Sequence, residues 1–336
     1  MKKVIVISFC FFVFSQAAYA QQQYHISVLQ VANVQVYQNG YDGFMEKLKE
    51  HGIIEGANLV VKRHIIDADL DAGIWQKVGI LFKIKKTAGK IIEEDPDLVL
   101  TIGTPATKYA KNKIIKAGIP LVFVGVASPI AAGCESMTHA GKGCTGTTIY
   151  IDATDVLKII RVALPDIETI GIVHSDDDNG IAFAADTKEK ASKMGISILT
   201  RQVEKSDKIG PAAMELVDEG VDMFGIPPDA YYALRDNEPS KDIAEISIKT
   251  KIPPVAFMSC GAPGAVLYIG PSMRVSGRLS ADQAVKILKD GVKPEQIPVG
   301  MQKDLTILCD QEALKSIGLT IPLEILQLAK PYSDSY

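Results

Sequence analysis

DLVLTIGTPATKYAKN (Asp97–Asn112) and PLVFVGVASPIAAG (Pro120–Gly133) decide how this chain folds. Each is a short apolar run that ends in a hydroxyl residue followed by proline: Thr104-Pro105, then Ser128-Pro129. A hydroxyl residue is a preferred helix N-cap, and proline is tolerated at the first helical position because it has no N–H to leave unpaired. Both stretches therefore predict a strand running directly into a helix. The free N–H groups of a helix start favour anions. Two such starts at the carboxyl ends of neighbouring parallel strands would line the crevice where α/β sheets bind ligands. Thr104 and Ser128 are candidate ligand-binding residues on this ground. The plain alternative is capping alone, worth about 1 kcal/mol each.

The same alternation extends in both directions. HISVLQV (His25–Val31) and NLVVKRHII (Asn58–Ile66) read as strands around the amphipathic helix YDGFMEKLKEHG (Tyr41–Gly52). The segment Asp71–Glu94 is helical, with apolar residues at Ile74, Val78, Leu81, Phe82 and Ile91. Beyond a cysteine loop, TGTTIYI is extended, and a second series follows: helix, IGIVHS, helix, ISILTRQV, helix, VDMFGI, helix, PPVAFMS. Strands alternating with helices over short connections imply parallel sheets covered on both faces. The chain is thus α/β in two lobes that join near residues 144–149. AVLYIG, the helix MRVSGRLSADQAVKILKDG and a last strand with short helices complete it.

The first twenty residues read as a secretory leader. Lys2 and Lys3 precede the apolar VIVISFCFFVF, and Ala18-Tyr19-Ala20 supplies a small-x-small cleavage site before Gln21. Periplasmic location follows as an expectation. Cys10 lies inside the apolar core and does not suit lipoprotein processing. The net charge is −4, or −6 once the two leader lysines are gone, and no basic block stands out, which argues against nucleic acid or anionic membrane as partner. Cys134, Cys144, Cys260 and Cys309 remain. Cys134 and Cys144 bracket the polar loop ESMTHAGKG and are expected to form a disulfide, worth on the order of 2–3 kcal/mol. A metal there would recruit His139 but lacks a fourth ligand. Pairing of Cys260 with Cys309 is left open. No cofactor is expected.

TPA (Thr104–Ala106), SPIAAG (Ser128–Gly133), CTG (Cys144–Gly146), LPDIETIGIV (Leu164–Val173), the helix preceding ILKDGVKPEQIPV (Ile287–Val299) and the ending LKSIGLTIPLEIL (Leu314–Leu326) occur in an order that resembles the ABC-transporter substrate-binding proteins of the tryptophan/tyrosine-uptake type. The resemblance runs through nearly the whole mature chain. It implies a type I periplasmic-binding-protein fold: two Rossmann-like lobes, a three-crossing hinge, and a ligand between them. It places 21–147 plus 268–300 in the first lobe and 148–267 plus 301–336 in the second. The crossings are expected near 144–149, 267–271 and 299–303. The family's first-lobe pocket elements match Thr104 and Ser128. Its Pro-Thr-Asp-Asn appears as Pro227-Pro228-Asp229-Ala230, and its Asn-Pro-Gly-Glu-Ala-Asn-Ser loop as Ser175-Asp176-Asp177-Asp178-Asn179-Gly180-Ile181. These departures argue against an aromatic amino acid as ligand.

An amino acid needs donors for its carboxylate, an acid for its ammonium and a shaped pocket for its side chain. Asp229 is the candidate acid, with an N-cap as its alternative role. Ser175 and Asp176 open the acidic loop, which either faces the cleft or forms a solvated turn. Tyr37, Tyr231 and Tyr232 could stack on a ligand or pack under loops. Gln30, Asn33 and Ser259 lie at strand ends and complete the candidate set. Ser259-Cys260-Gly261 could suggest a thiol nucleophile, but the chain has no Gly-x-Ser-x-Gly elbow, Walker loop or His-Glu-x-x-His helix, and no enzymatic role is expected. The expectation is a monomeric periplasmic solute-binding protein that takes an amino acid or related zwitterion and hands it to an ABC permease in the inner membrane. The alternative is a periplasmic sensing module that reports to a membrane receptor or kinase.

Overall fold

The structure is a computed structural model and describes residues 22–66, 74–176, 178–259 and 261–332. The expected leader, Asp177 and Cys260 lie outside the described residues. The first series runs β1 (Tyr24–Gln30), α1 (Gln35–Glu50), β2 (Leu59–Ile65), α2 (Ile74–Glu93), β3 (Leu98–Ile102), α3 (Thr104–Lys116), β4 (Leu121–Val126) and β5 (Cys144–Thr148). The second runs α4 (Ala153–Ala163), β6 (Thr169–Ser175), α5 (Asp178–Ser192), β7 (Ser197–Val203), α6 (Gly210–Asp218), β8 (Met223–Ile226), a 3₁₀ turn at Ala230–Ala233, α7 (Leu234–Thr250), β9 (Pro254–Ala256) and β10 (Leu267–Gly270). The chain then returns with α8 (Met273–Leu288) and β11 (Gly300–Met301), and closes with β12 (Thr306–Cys309), α9 (Gln311–Ile317), α10 (Leu323–Leu328) and β13 (Lys330–Pro331). Among the described residues, no helix is long and apolar enough to cross a membrane.

Two sheets result. The first has the order β11-β5-β4-β3-β1-β2 and the second β13-β12-β10-β9-β8-β6-β7. Every pairing is parallel except β12 against β10, so β12 and β13 run opposite to the other five strands of the second sheet. β3 and β4 are buried along their whole length, as their unbroken apolar runs require. On the first sheet, α1 and α8 cover one face through Phe44, Leu48, Ala281 and Ala284. Helices α2 and α3 cover the other through Ile84, Ala88, Ala110 and Ile114.

The chain passes between the sheets three times, after Thr148, after Gly270 and after Met301. β10 belongs to the second sheet and β11 to the first. α8 packs on α1 with backbone against backbone at Gly40, Gly43 and Gly277. A Cβ on Gly277 would stand 2.0 Å from the Gly40 carbonyl oxygen, and one on Gly43 2.0 Å from that of Arg274.

The expected Cys134–Cys144 disulfide is not formed: both thiols are free. The loop closes by other means. Ser136 Oγ accepts from the N–H groups of Thr138 and His139, Val299 N donates to Thr138 O at 2.9 Å, and Gly143 N donates to Glu295 Oε2 at 3.0 Å. Both sulfurs sit in the apolar layer beneath α3, and burial pushes both thiols up. Cys309 is likewise a free, buried thiol.

Candidate functional site

β5 runs parallel to its neighbours, and its carboxyl end leads through residues 149–152 into the second half. β10 does the same in the second sheet, and its carboxyl end leads through Pro271 and Ser272 into α8 on the first half. Both sheets therefore turn their carboxyl ends toward the crossings. In each sheet the strand order reverses once, between β1 and β3 in the first and between β6 and β8 in the second. Open α/β sheets bind ligands in the crevice outside such a switch point. In the first sheet, Gln30 is level with Ile102 and Ile102 with Val124, so β1, β3 and β4 end together on one rim.

On the first rim, the expected cap at Thr104 shifts by one residue. Gly103 is the N-cap of α3, and Thr104 and Pro105 are its first two helical residues. Gly103 has φ 84°, and a Cβ there would meet the Tyr37 hydroxyl at 2.6 Å, so glycine answers to both backbone and space. The Gly103 carbonyl accepts from Thr107 Oγ1 at 2.9 Å, and Thr107 is itself bonded to Thr101 in the core. That anchoring leaves the first-turn N–H groups of Thr104 and Ala106 without intrahelical acceptors. The Thr104 hydroxyl accepts from Ala127 N at 3.1 Å and so ties the α3 start to the end of β4. The helix expected after Ser128 is one turn, because Gly133 at φ 82° ends it; Ser128 Oγ accepts from Ala131 N at 3.3 Å.

Tyr37 is half-buried against the α3 start, and burial pushes its phenol up to about 12. Its hydroxyl has no hydrogen-bond partner among the described residues. Gln30 is buried and committed to its own chain. Its Nε2 donates to Ala32 O at 2.8 Å, and its Oε1 accepts from Arg63 at 3.0 and 2.7 Å. Asn33 is exposed beyond it. Arg63 is the residue the sequence reading passed over. Its guanidinium lies 4.1 Å over the Tyr41 ring and bonds Gln30 and Gln38, all uncharged, and it has no carboxylate partner among the described residues. A lone arginine inside a β-branched run, NLVVKRHII, was the available signal.

On the second rim, Asp229 is buried and closed by three donors. Oδ1 accepts from Tyr231 N at 2.9 Å and Ser175 Oγ at 3.0 Å, and Oδ2 accepts from Ser175 N at 2.7 Å. The carboxylate thus caps the 3₁₀ turn and clamps the end of β6 to the end of β8, across the switch point. Gly180 leaves room for it, since a Cβ there would stand 2.4 Å from Oδ2. Asp176, next along from Ser175, is exposed. Tyr231 and Tyr232 are fully buried, with their rings edge to face at 5.7 Å. Their hydroxyls donate to Asp207 O and Val173 O, each at 2.8 Å. Arg235 bonds the carbonyls of Lys205 and Asp207, which holds the left-handed run Arg235–Asn237 in the first turn of α7. Ser259 is buried, and its hydroxyl donates to Pro271 O at 2.8 Å, which fixes the second crossing.

Among the described residues, hydrogen bonds join the halves only at the crossings. Besides Ser259–Pro271, Ser272 N donates to Gln302 Oε1 at 2.8 Å, which links the second crossing to the third. A separate groove of about 660 Å³ opens at the amino-terminal edge of the second sheet, between Leu164, Pro253, Ile321 and Leu323. Asp166 is its one charged lining residue, so it offers no paired charges to a zwitterion.

Residues 25–332 match the family described as ABC transporter substrate binding protein. A protein named tyrosine-binding protein from Clostridioides difficile (strain R20291) is 21% identical over 303 residues, covering 89% of this chain and 82% of that protein. Among solved structures, the ligand-free, open form of a substrate-binding protein with adhesive properties from Clostridium difficile superposes with a TM-score of 0.75 at 22% identity, over 92% of this chain and 100% of that one. A Streptococcus pneumonia ABC domain in complex with L-Trp gives a TM-score of 0.69 at 20% identity, over 91% of this chain and 99% of that one. These similarities extend over nearly the whole described length, and the chain belongs to the ABC transporter substrate-binding protein family.

Proposed function

We propose that this protein captures an amino acid or related zwitterion between its two halves outside the cytoplasmic membrane and delivers it to an ABC permease. The observation that carries the reading is the convergence of both switch points on the three crossings, where the hydrogen bonds between the halves seen among the described residues lie. A tyrosine-binding relative and a similar structure holding L-tryptophan support the amino-acid class. The α3 start, with Thr104, Ser128 and Tyr37 around it and Arg63 nearby, receives the carboxylate. The exposed Asp176 meets the ammonium. Asp229, already closed by Ser175 and Tyr231, holds that rim in place and adds its charge from behind. Ligand shifts the equilibrium toward the closed form only through contacts made with both halves at once.

The test is a thermal-shift screen of L-amino acids, tyrosine and tryptophan included, followed by small-angle scattering of the best hit. A ligand at 100 times its dissociation constant stabilises by about 2.7 kcal/mol. It should also reduce the radius of gyration. If no zwitterion raises the melting temperature, or a hit leaves the shape unchanged, the reading fails.

A further inference from the structure

We infer that the α2/α3 face of the first half is a docking surface for an anionic phospholipid bilayer. α2 and α3 together carry nine lysines and one acidic residue, +8 within a chain whose net charge is −4. The rest of the chain is therefore at −12, so the small overall charge conceals the local surplus on these two helices. On α2, Lys83, Lys85, Lys86 and Lys90 are exposed. On α3, Lys108, Lys113 and Lys116 are exposed, and Lys113 reaches across to donate to the Lys85 carbonyl at 3.1 Å, which merges the two rows into one field. None of these seven has a carboxylate partner among the described residues. The contrast with the opposite face of the same sheet is direct. There Arg274 pairs with Glu46, Arg278 with Glu46 and Glu50, and Lys47 with Glu50 and Asp282.

Lys83–Lys86, Lys86–Lys90 and Lys113–Lys116 are like charges at helical neighbour spacings, which repel. The surplus is neutralised only by an external anion. The chemistry of that anion is constrained in two ways. The field contains lysine and no arginine on either helix, so it supplies point charges without the planar fork that reads a phosphate or base edge in fixed geometry. It also surrounds exposed apolar groups: Phe82 is 70% exposed, with Val78 one turn before it on the same side of α2. Tyr109 is exposed on α3 with Lys108 over its ring at 5.7 Å. Lysines around an aromatic and aliphatic ridge match the amphipathic, basic helices that lie at lipid interfaces. A nucleic acid would leave Phe82 and Val78 without a use.

The experiment is vesicle co-sedimentation of the leader-free chain at 0.1 M salt, with phosphatidylglycerol/phosphatidylcholine vesicles against pure phosphatidylcholine. The expected result is binding to the anionic vesicles alone, lost at 0.5 M salt as screening shortens the field. Each lysine near such a surface contributes about fivefold in partitioning, so Lys83→Glu/Lys86→Glu/Lys116→Glu should lose about 100-fold or more. Phe82→Ser should lose about tenfold. Lys188→Glu/Lys249→Glu/Lys315→Glu changes the net charge equally on the other half and should stay within twofold. All variants alter exposed, unpaired lysines or an exposed ring, and a circular-dichroism melt checks that they remain folded. The inference is overturned if the leader-free chain ignores anionic vesicles, or if both lysine triples lose binding equally. It is also overturned if a single-stranded DNA oligonucleotide binds as tightly as the vesicles and Phe82→Ser leaves both unchanged.

Discussion

Replacing Asp229 tests whether that carboxylate holds the second rim or meets the ligand. In the structure it receives Ser175 N, Ser175 Oγ and Tyr231 N. Asp229→Ala strands two buried backbone N–H groups at about 2 kcal/mol each; the serine hydroxyl can turn elsewhere. The loss is then about 4 kcal/mol. A domain of this size shifts its midpoint by about 2–4 °C per kcal/mol, so the melting temperature of the ligand-free protein should fall by about 8–16 °C. Asp229→Asn keeps one oxygen for Tyr231 N and Ser175 Oγ but turns an amide N–H₂ toward Ser175 N–H, and should lose about half as much. Scanning calorimetry without ligand reads both. Asp176→Asn supplies the contrast: it should leave the ligand-free melting temperature within about 1 °C and weaken zwitterion binding about tenfold, as loss of one exposed charge-assisted contact does. An Asp229→Ala protein that melts like the wild type yet no longer responds to ligand would refute the reasoning and place that oxygen in the ligand's path.

Gly277→Ala drives a methyl group to within 2.0 Å of the Gly40 carbonyl oxygen and should cost about 3 kcal/mol, read as a lower urea midpoint; an unchanged midpoint would mean that the α1/α8 seam can open freely. Burial raises Tyr37 from 10.0 to about 12, so the folded state favours the neutral phenol. Its contribution is complete below pH 10 and disappears between pH 10 and 12, and Tyr37→Phe should flatten the fall of melting temperature in that window. Cys134 and Cys144 should react slowly with a thiol reagent at pH 8 in the native protein and rapidly in guanidinium, because both are buried with raised thiol pKa values. Fast native labelling would show that the loop between them opens.

The alternation of apolar runs with amphipathic helices, and the strand ends that carry the rim, were legible because they depend on neighbours in sequence. DLVLTIG and PLVFVGV became β3 and β4, and TPATKYAKN became α3. Residue choice at the caps was less legible. Thr104 fits an N-cap locally, yet Gly103 takes that position because Tyr37 leaves no space for a side chain above it. SPIAAG has the opening of a helix, but Gly133 ends it after one turn. The saturation of Asp229 was out of reach, since its partner Ser175 lies 54 residues away. The lysine field was hidden for a similar reason. Its rows are distributed over two helices that only packing brings together, and a whole-chain charge cancels them against acids placed elsewhere.

The close backbone approach between α1 and α8 has a mechanical outcome. Backbone meets backbone at Gly43 and Gly277, and Ser280 Oγ bonds both Thr147 Oγ1 and Phe123 O beneath them. With backbone in contact there and Arg274–Glu46 and Arg278–Glu50 pairing across the two helices, one helix cannot slip past the other, and torque that enters α8 at Ser272 is passed to β4 and β5. If the proposed closure takes place, its twist would be concentrated in the short links at 149–152, 271–272 and 302–305. A stiffening substitution in those links should slow capture and release together without altering either rim.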